Sequence, residues 1–220
     1  MQEEFDFGVE RFSERAARPR AVRRQRSASG FQPPLPGCGL ARLDSIFFAV
    51  LPDASASDQI EHLTSALTAR HQLVGKRLGR RRLHVSLHGL GTYEGVPKSL
   101  VETASEAASM ICAPRFTVQW DRAMSFRGRE GNRPFVLRGS SELTALQDFH
   151  GELGAALRRT RLWRTVRGSF TPHVTLLYDA RLVAEQPVPA VTWEVRDFVL
   201  IHSPQGHSRH IELGRWALRD

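Results

Sequence analysis

A short pattern occurs twice in this chain, as His84-Val85-Ser86-Leu87 and as His173-Val174-Thr175-Leu176, and the two copies limit the folds open to it. In an extended strand, side chains alternate between faces. His84 and Ser86 then share one face while Val85 and Leu87 point to a core; His173 and Thr175 repeat the arrangement. The surroundings repeat as well. A strand-like segment (IFFAV), a helical segment and then HVSL make up the first half; PFVL, a helical segment and HVTL make up the second. Phe48 and His84 are 36 residues apart, Val136 and His173 are 37 apart. A two-copy repeat of this length is no solenoid. It predicts two similar lobes related by a pseudo-two-fold axis, with the two histidine strands facing each other.

The rest of the chain supplies elements for such lobes. SIFFAVLP reads as a buried strand ended by Pro52. Residues 56–73 place Ile60, Leu63, Leu67 and Leu73 at helical spacing. A helix is expected to start at Pro97 and to end before Pro114. RFTVQWDRAMSF and RPFVLRG read as strands on either side of the turn GREGN. The next segment is amphipathic, with Leu143, Leu146, Phe149, Leu153 and Leu157 on one stripe and Ser140 or Ser141 as its cap. VTWEVRDFVLIHS and RHIELGRWALRD are expected to be two further strands. Residues 1–40 mix Arg, Ser, Pro and Gly with few apolar side chains, which predicts a basic extension without regular structure. The folded domain is placed at 41–220.

The paired motifs suit phosphodiester chemistry. Cleavage needs a base for the attacking oxygen and an acid for the leaving oxygen, and histidine serves either role near neutrality. Two imidazoles on opposite sides of one phosphorus allow in-line displacement. A hydroxyl beside each can donate to a non-bridging oxygen. One such motif alone is commonplace in strands; two at equivalent places are not. The rival metal reading would join His84 and His173 with His88, but the chain has neither an HExxH motif nor a Cys/His cluster. No metal and no cofactor is expected.

The net charge of +8 favours a polyanionic partner. Seven arginines against five carboxylates in residues 1–36 leave an excess of two, so six of the eight charges belong to the remaining chain. All basic residues except Lys76 and Lys98 are arginine, which suits phosphate recognition. Nucleotide composition alone also yields arginine-rich chains, so the charge names no partner. Two cysteines form no disulfide framework, no run of apolar residues is long enough for a membrane span, and the acidic opening MQEEFDFG lacks a signal-peptide core. A cytoplasmic monomer is expected.

FFAVLP, HVSLHGLG and above all PHVTLLYDA resemble the 2′-5′ RNA ligase family, also called RNA 2′,3′-cyclic phosphodiesterases, within the two-histidine phosphoesterase superfamily. The resemblance runs from about Asp44 to the end and leaves residues 1–40 uncovered. It implies an α+β, bilobal fold, with two pseudo-symmetric antiparallel sheets and outer helices around a central cleft. It also implies metal-independent opening of an RNA 2′,3′-cyclic phosphate to a 2′-phosphate, with reversible 2′-5′ joining in some members. His84 and His173 match the catalytic pair. The resemblance implies that His173 activates water, that His84 protonates the leaving 3′ oxygen, and that Ser86 and Thr175 hold phosphate oxygens.

Three departures bear on substrate binding. Ser86 stands where threonine is commoner. His88-Gly89 follows the first motif where the family often reads FLG, and on an unbroken strand His88 would face the cleft. Tyr178 stands where many members carry a phosphate-supporting arginine. Arg127, Arg129 and Arg133, around the turn before PFVL, are the candidate replacements, and Tyr178 itself is a candidate base-stacking ring. One of Phe47 and Phe48 should also line the cleft. The leading function is thus a phosphodiesterase on RNA cyclic ends. The alternatives are a phosphodiesterase on a small cyclic nucleotide or nucleotide-derived substrate, and a non-catalytic RNA-binding module.

Overall fold

The computed structural model describes residues 43–220 except 129, 142, 167, 168, 205 and 208. The expected N-terminal extension and Arg129 therefore lie outside the described residues. In chain order the elements are β1 (Leu43–Val50), α1 (Ala54–Arg70), β2 (Val85–Glu94), α2 (Lys98–Ser109), β3 (Phe116–Ser125), β4 (Arg133–Arg138), α3 (Thr144–Arg158), β5 (Val174–Asp179), β6 (Gln186–Val195), β7 (Asp197–Pro204) and β8 (Ile211–Ala217). Short 3₁₀ turns at Arg80–Arg82 and Arg161–Thr165 precede β2 and β5.

The strands form two four-stranded sheets of order β2-β1-β7-β8 and β5-β4-β3-β6, and every pairing is antiparallel. β1 and β2 in the first sheet correspond to β4 and β5 in the second, and β7-β8 correspond to β3-β6. The pseudo-symmetry expected from the repeat is present, although the first sheet is drawn from both ends of the described chain and the second from its middle. The chain enters the first sheet, builds the whole of the second, and returns to complete the first.

That return corrects one expectation. VTWEVRDFVLIHS is not a single strand. It divides at Arg196 into β6 of one sheet and β7 of the other. The physical reason is visible in its burial. VTWEV alternates buried and exposed side chains, as a half-buried strand does, whereas Phe198 to Ile201 are buried in succession. Phe198 and Leu200 face the main core; Val199 and Ile201 join Ala49 on the opposite face, against Phe47 and Leu51.

The main core runs continuously between the helices and both sheets. α1 contributes Ile60 and Leu67, and α3 contributes Leu146, Phe149, Leu153 and Leu157, the stripe expected from spacing. Asp53 caps α1 by accepting from the Ala56 N–H at 2.7 Å. α3 lacks the expected serine cap. Leu143 is its N-cap, and the Ser140 N–H and hydroxyl donate instead to Asp121 on β3. Trp120 stacks on Trp193, and Phe48 packs against Phe198 and Trp216.

One clasp ties the two sheets together. The segment after α1 runs along the free edge of β5: the Leu78 N–H donates to Leu176 O at 2.8 Å, and Arg77 bridges Leu177. Asp179, only 3% exposed, accepts the Val74 and Gly75 N–H groups at 2.7 Å each and that of Arg181 at 2.9 Å. Burial opposes its charge, but the Arg181, Gly75, Val74 and Ala180 amides outweigh it and hold the carboxyl below the usual carboxylate range. A Cβ at Gly75 would lie 1.8 Å from Tyr178 O, so only glycine allows this approach. Gly75→Ala is expected to destabilise the fold by about 3 kcal/mol, the upper end of overpacking costs, because the obstacle is backbone rather than a movable side chain. Chemical denaturation measures this, and an unchanged midpoint would remove the clasp as a constraint.

Candidate active site

His84 and His173 sit one residue before β2 and β5, at the same point of the two related strand–helix–strand units. Each ring is held in the same way. His84 Nδ1 is 2.7 Å from Arg82 O, and His173 Nδ1 is 2.7 Å from Thr171 O. A carbonyl can only accept, so Nδ1 carries the proton in both, and Nε2 is the nitrogen left for chemistry. Both rings are partly accessible. Ser86 and Thr175, two residues on, are likewise half-buried. Ser86 lies opposite Ala49 and Thr175 opposite Val136, on the faces turned away from the helix-packed core.

Beyond these four residues simple alternation fails, and in both strands it fails at the very next pairing. The pairing moves from Ala49↔Ser86 to Phe47↔Gly89 in one strand pair and from Val136↔Thr175 to Phe135↔Leu177 in the other. Each shift is a β-bulge, one extra residue on the histidine strand. Leu87 and His88 both turn to the core, as do Leu176 and Leu177. His88 is therefore not a cleft residue. It is 3% exposed, its Nε2 donates to His150 O at 2.9 Å, and its ring stacks on His150, which stacks in turn on Phe170. Gly154 makes room for it, since a Cβ there would lie 3.2 Å from the His88 ring.

The same bulge turns Tyr178 outward, to 44% exposure, on the face it shares with Pro134 and Val136. Two further expectations are corrected. Phe48 is fully buried in the main core and cannot meet a substrate; Phe47 is the cleft-side ring, 5.0 Å from His84. Arg133 lies opposite Asp179, in step with the core residues Phe135 and Leu137, and its guanidinium donates to Ala180 O. It is not on the histidine face.

Four residues near the histidines escaped the sequence reading. Phe126 meets His173 edge-on at 5.0 Å, in a role like that of Phe47 beside His84. His210, just before β8, meets His84 at 5.0 Å and Phe47 at 5.6 Å. Arg82 and Arg138 are the guanidinium groups whose charge reaches the histidines. Continued alternation from Val136 would have reached Arg138. Nothing local marks His210, which is brought in by the β1-β7-β8 pairing.

The site is desolvated and positive. Burial pushes His84 down to about 4, helped by the charges of His173 and Arg82 and opposed by the bond to Arg82 O. His173 is also lowered, by burial and by Arg138, against the bond to Thr171 O. His210 is lowered to about 4 by burial, His84 and Arg82. In the free protein the imidazoles are thus neutral at pH 7, and each resists protonation. Among the described residues, no group of three or more His, Cys, Asp or Glu side chains is placed to hold a metal ion.

Two antiparallel sheets that bring one carbonyl-fixed imidazole each to a shared positive site define a two-histidine phosphoesterase. The chain belongs to the 2′-5′ RNA ligase superfamily, whose family model matches residues 51–206. It is 29% identical over 177 residues to the RNA 2′,3′-cyclic phosphodiesterase of Escherichia coli (strain K12), covering 79% of this chain and 96% of that protein. Its fold matches E. coli LigT complexed with 3′-AMP at a TM-score of 0.66 and 26% identity, over 81% of this chain and 99% of that one. TT0787 of Thermus thermophilus shares the fold at a TM-score of 0.63 and 18% identity, over 80% of this chain and 98% of that one.

Nitrogen-detected NMR of the free protein should find His84 and His173 as Nδ1–H tautomers, with His84 and His210 neutral down to pH 5. Titration of His84 near 6.5 would contradict the desolvated, positive site.

Proposed function

We propose that the protein hydrolyses the 2′,3′-cyclic phosphate at RNA ends to a 2′-phosphate without a metal ion, using His84 and His173 as its acid–base pair. The observation that carries this reading is the matched pair of imidazoles, each fixed through Nδ1 and each accompanied two residues later by a hydroxyl on the same face.

In this reaction His173 Nε2 takes a proton from water as the water oxygen bonds to phosphorus. The bond from phosphorus to the 3′ oxygen breaks, and His84 Nε2 gives that oxygen its proton. Ser86 and Thr175 donate to the non-bridging oxygens. The protons balance: one is gained by His173 and one is lost by His84, and solvent exchange resets the pair. His84 must enter the reaction charged, although its free-state pKa lies at about 4. The anionic phosphate supplies the missing negative charge, so substrate binding itself promotes protonation. Each positioned imidazole contributes about 10²–10⁴ in rate.

RNA cyclic ends and small nucleotides are the substrates this reading takes. No described helix is long and apolar enough to cross a membrane. A cytoplasmic monomer remains part of the proposal.

The test is product analysis with 2′,3′-cyclic AMP and with a short RNA ending in a cyclic phosphate, in excess EDTA. Expected are 2′-phosphate products, a bell-shaped pH profile, and a fall of about 10²–10⁴ in kcat for His84→Ala and for His173→Ala. Near-normal turnover in either variant, or complete loss of activity with EDTA, would refute the assignment.

A further inference from the structure

The face of the second sheet that carries His173 bears more positive charge than the two-histidine reaction accounts for. Alternation along β4 puts Arg138 on the same side as Val136, which lies opposite Thr175. The last pair of the ladder, Leu137↔Val174, leaves Arg138 beside His173 at the next position. On the other side Arg138 lies directly opposite Arg122 of β3. Two like charges facing each other across a ladder destabilise a sheet. The arrangement makes sense where an anion completes it.

The guanidinium of Arg138 is also short of partners. Its Nε is buried and has no hydrogen-bond partner. Its Nη1 has two long contacts, 3.9 Å to Met124 Sδ and 3.9 Å to Glu185 Oε2. A thioether sulfur is a weak acceptor, and the contact to Glu185 is about 1 Å longer than a charge-assisted hydrogen bond. The side chain is 37% exposed, so its stem is packed while its fork is within reach of a ligand. Its charge is felt by His173. Tyr178, exposed on the same face, offers no charge, and Arg133 is turned away and engaged with Ala180 O.

We propose that Arg138 is the guanidinium that grips a non-bridging oxygen of the substrate's phosphate and holds it against His173. Its planar fork can take two oxygens of one phosphate, which an ammonium cannot. Arg122 adds charge behind it. The proposal rests on the reading of the site as a phosphodiesterase, and it adds the group that sets phosphate affinity.

The test measures binding rather than turnover, so that the two readings can fail separately. Inorganic phosphate and 3′-AMP are titrated calorimetrically into the wild-type protein, Arg138→Gln, Arg138→Lys and Arg133→Gln, with circular dichroism as the check on folding. Arg138→Gln is expected to weaken both ligands by about 10- to 100-fold, the worth of a lost charged hydrogen bond. Arg138→Lys should recover part of that loss, Arg133→Gln should bind as wild type, and the KM for 2′,3′-cyclic AMP should rise in Arg138→Gln. A folded Arg138→Gln that binds both ligands within about twofold of wild type would overturn the proposal. If Arg138→Gln does not fold, Arg138→Lys decides, and wild-type affinity there would overturn it as well. Failure of the wild-type protein to hydrolyse the cyclic substrate would sink the phosphodiesterase reading while leaving the phosphate affinities to judge Arg138.

Discussion

Each sheet presents one histidine of the proposed pair, and the fit between the sheets depends on the Asp179 carboxylate. Its oxygens gather the amides of Val74, Gly75 and Arg181, so the strap leaving α1 lies along β5. That strap leads directly into the 3₁₀ turn and then to His84. The first histidine therefore starts its strand from a segment hydrogen-bonded to the strand of the second. Buried and held ionised by backbone donors, Asp179 cannot move without stranding three N–H groups, each costing about 1–3 kcal/mol. The placement of His84 relative to His173 is thus set by backbone and not by long flexible side chains.

The electrostatics follow from what this scaffold encloses. Three imidazoles and two arginines share a partly desolvated site, and the buried groups left without a partner include Arg82 Nε, Arg138 Nε and His210 Nδ1. Such a set of unpartnered donors suits an anion such as phosphate. In the proposed reaction the same condition lets neutral histidines act as an acid–base pair, because the substrate's phosphate brings the charge that makes one of them cationic. Preorganised donors aimed at a developing phosphorane charge need no rearrangement during reaction.

The two histidines and their paired hydroxyls were legible because their placement needs only strand alternation over three positions, and a bulge falls just after each pair. His88 lies beyond the bulge in β2, so parity put it on the wrong face, and no residue type near Leu87 marks the extra residue. Phe47 and Phe48 were known to point opposite ways, but the core side is fixed by Phe198 and Trp216, far along the chain. Division of the last strands at Arg196 did leave a trace, in the change from alternating VTWEV to continuous FVLI. Arg138 was within reach of the same alternation that places Thr175. His210 was not, since only the pairing of β7 and β8 onto β1 carries it to His84.

The central claim is a single in-line displacement between two imidazoles on opposite sides of phosphorus. It is tested most directly by stereochemistry at phosphorus, using one diastereomer of a uridine 2′,3′-cyclic phosphorothioate opened in ¹⁸O-labelled water. One displacement by water predicts inversion of configuration with a single labelled oxygen. Retention would mean two displacements through a covalent enzyme intermediate, and would contradict the pairing of His84 with His173 as acid and base.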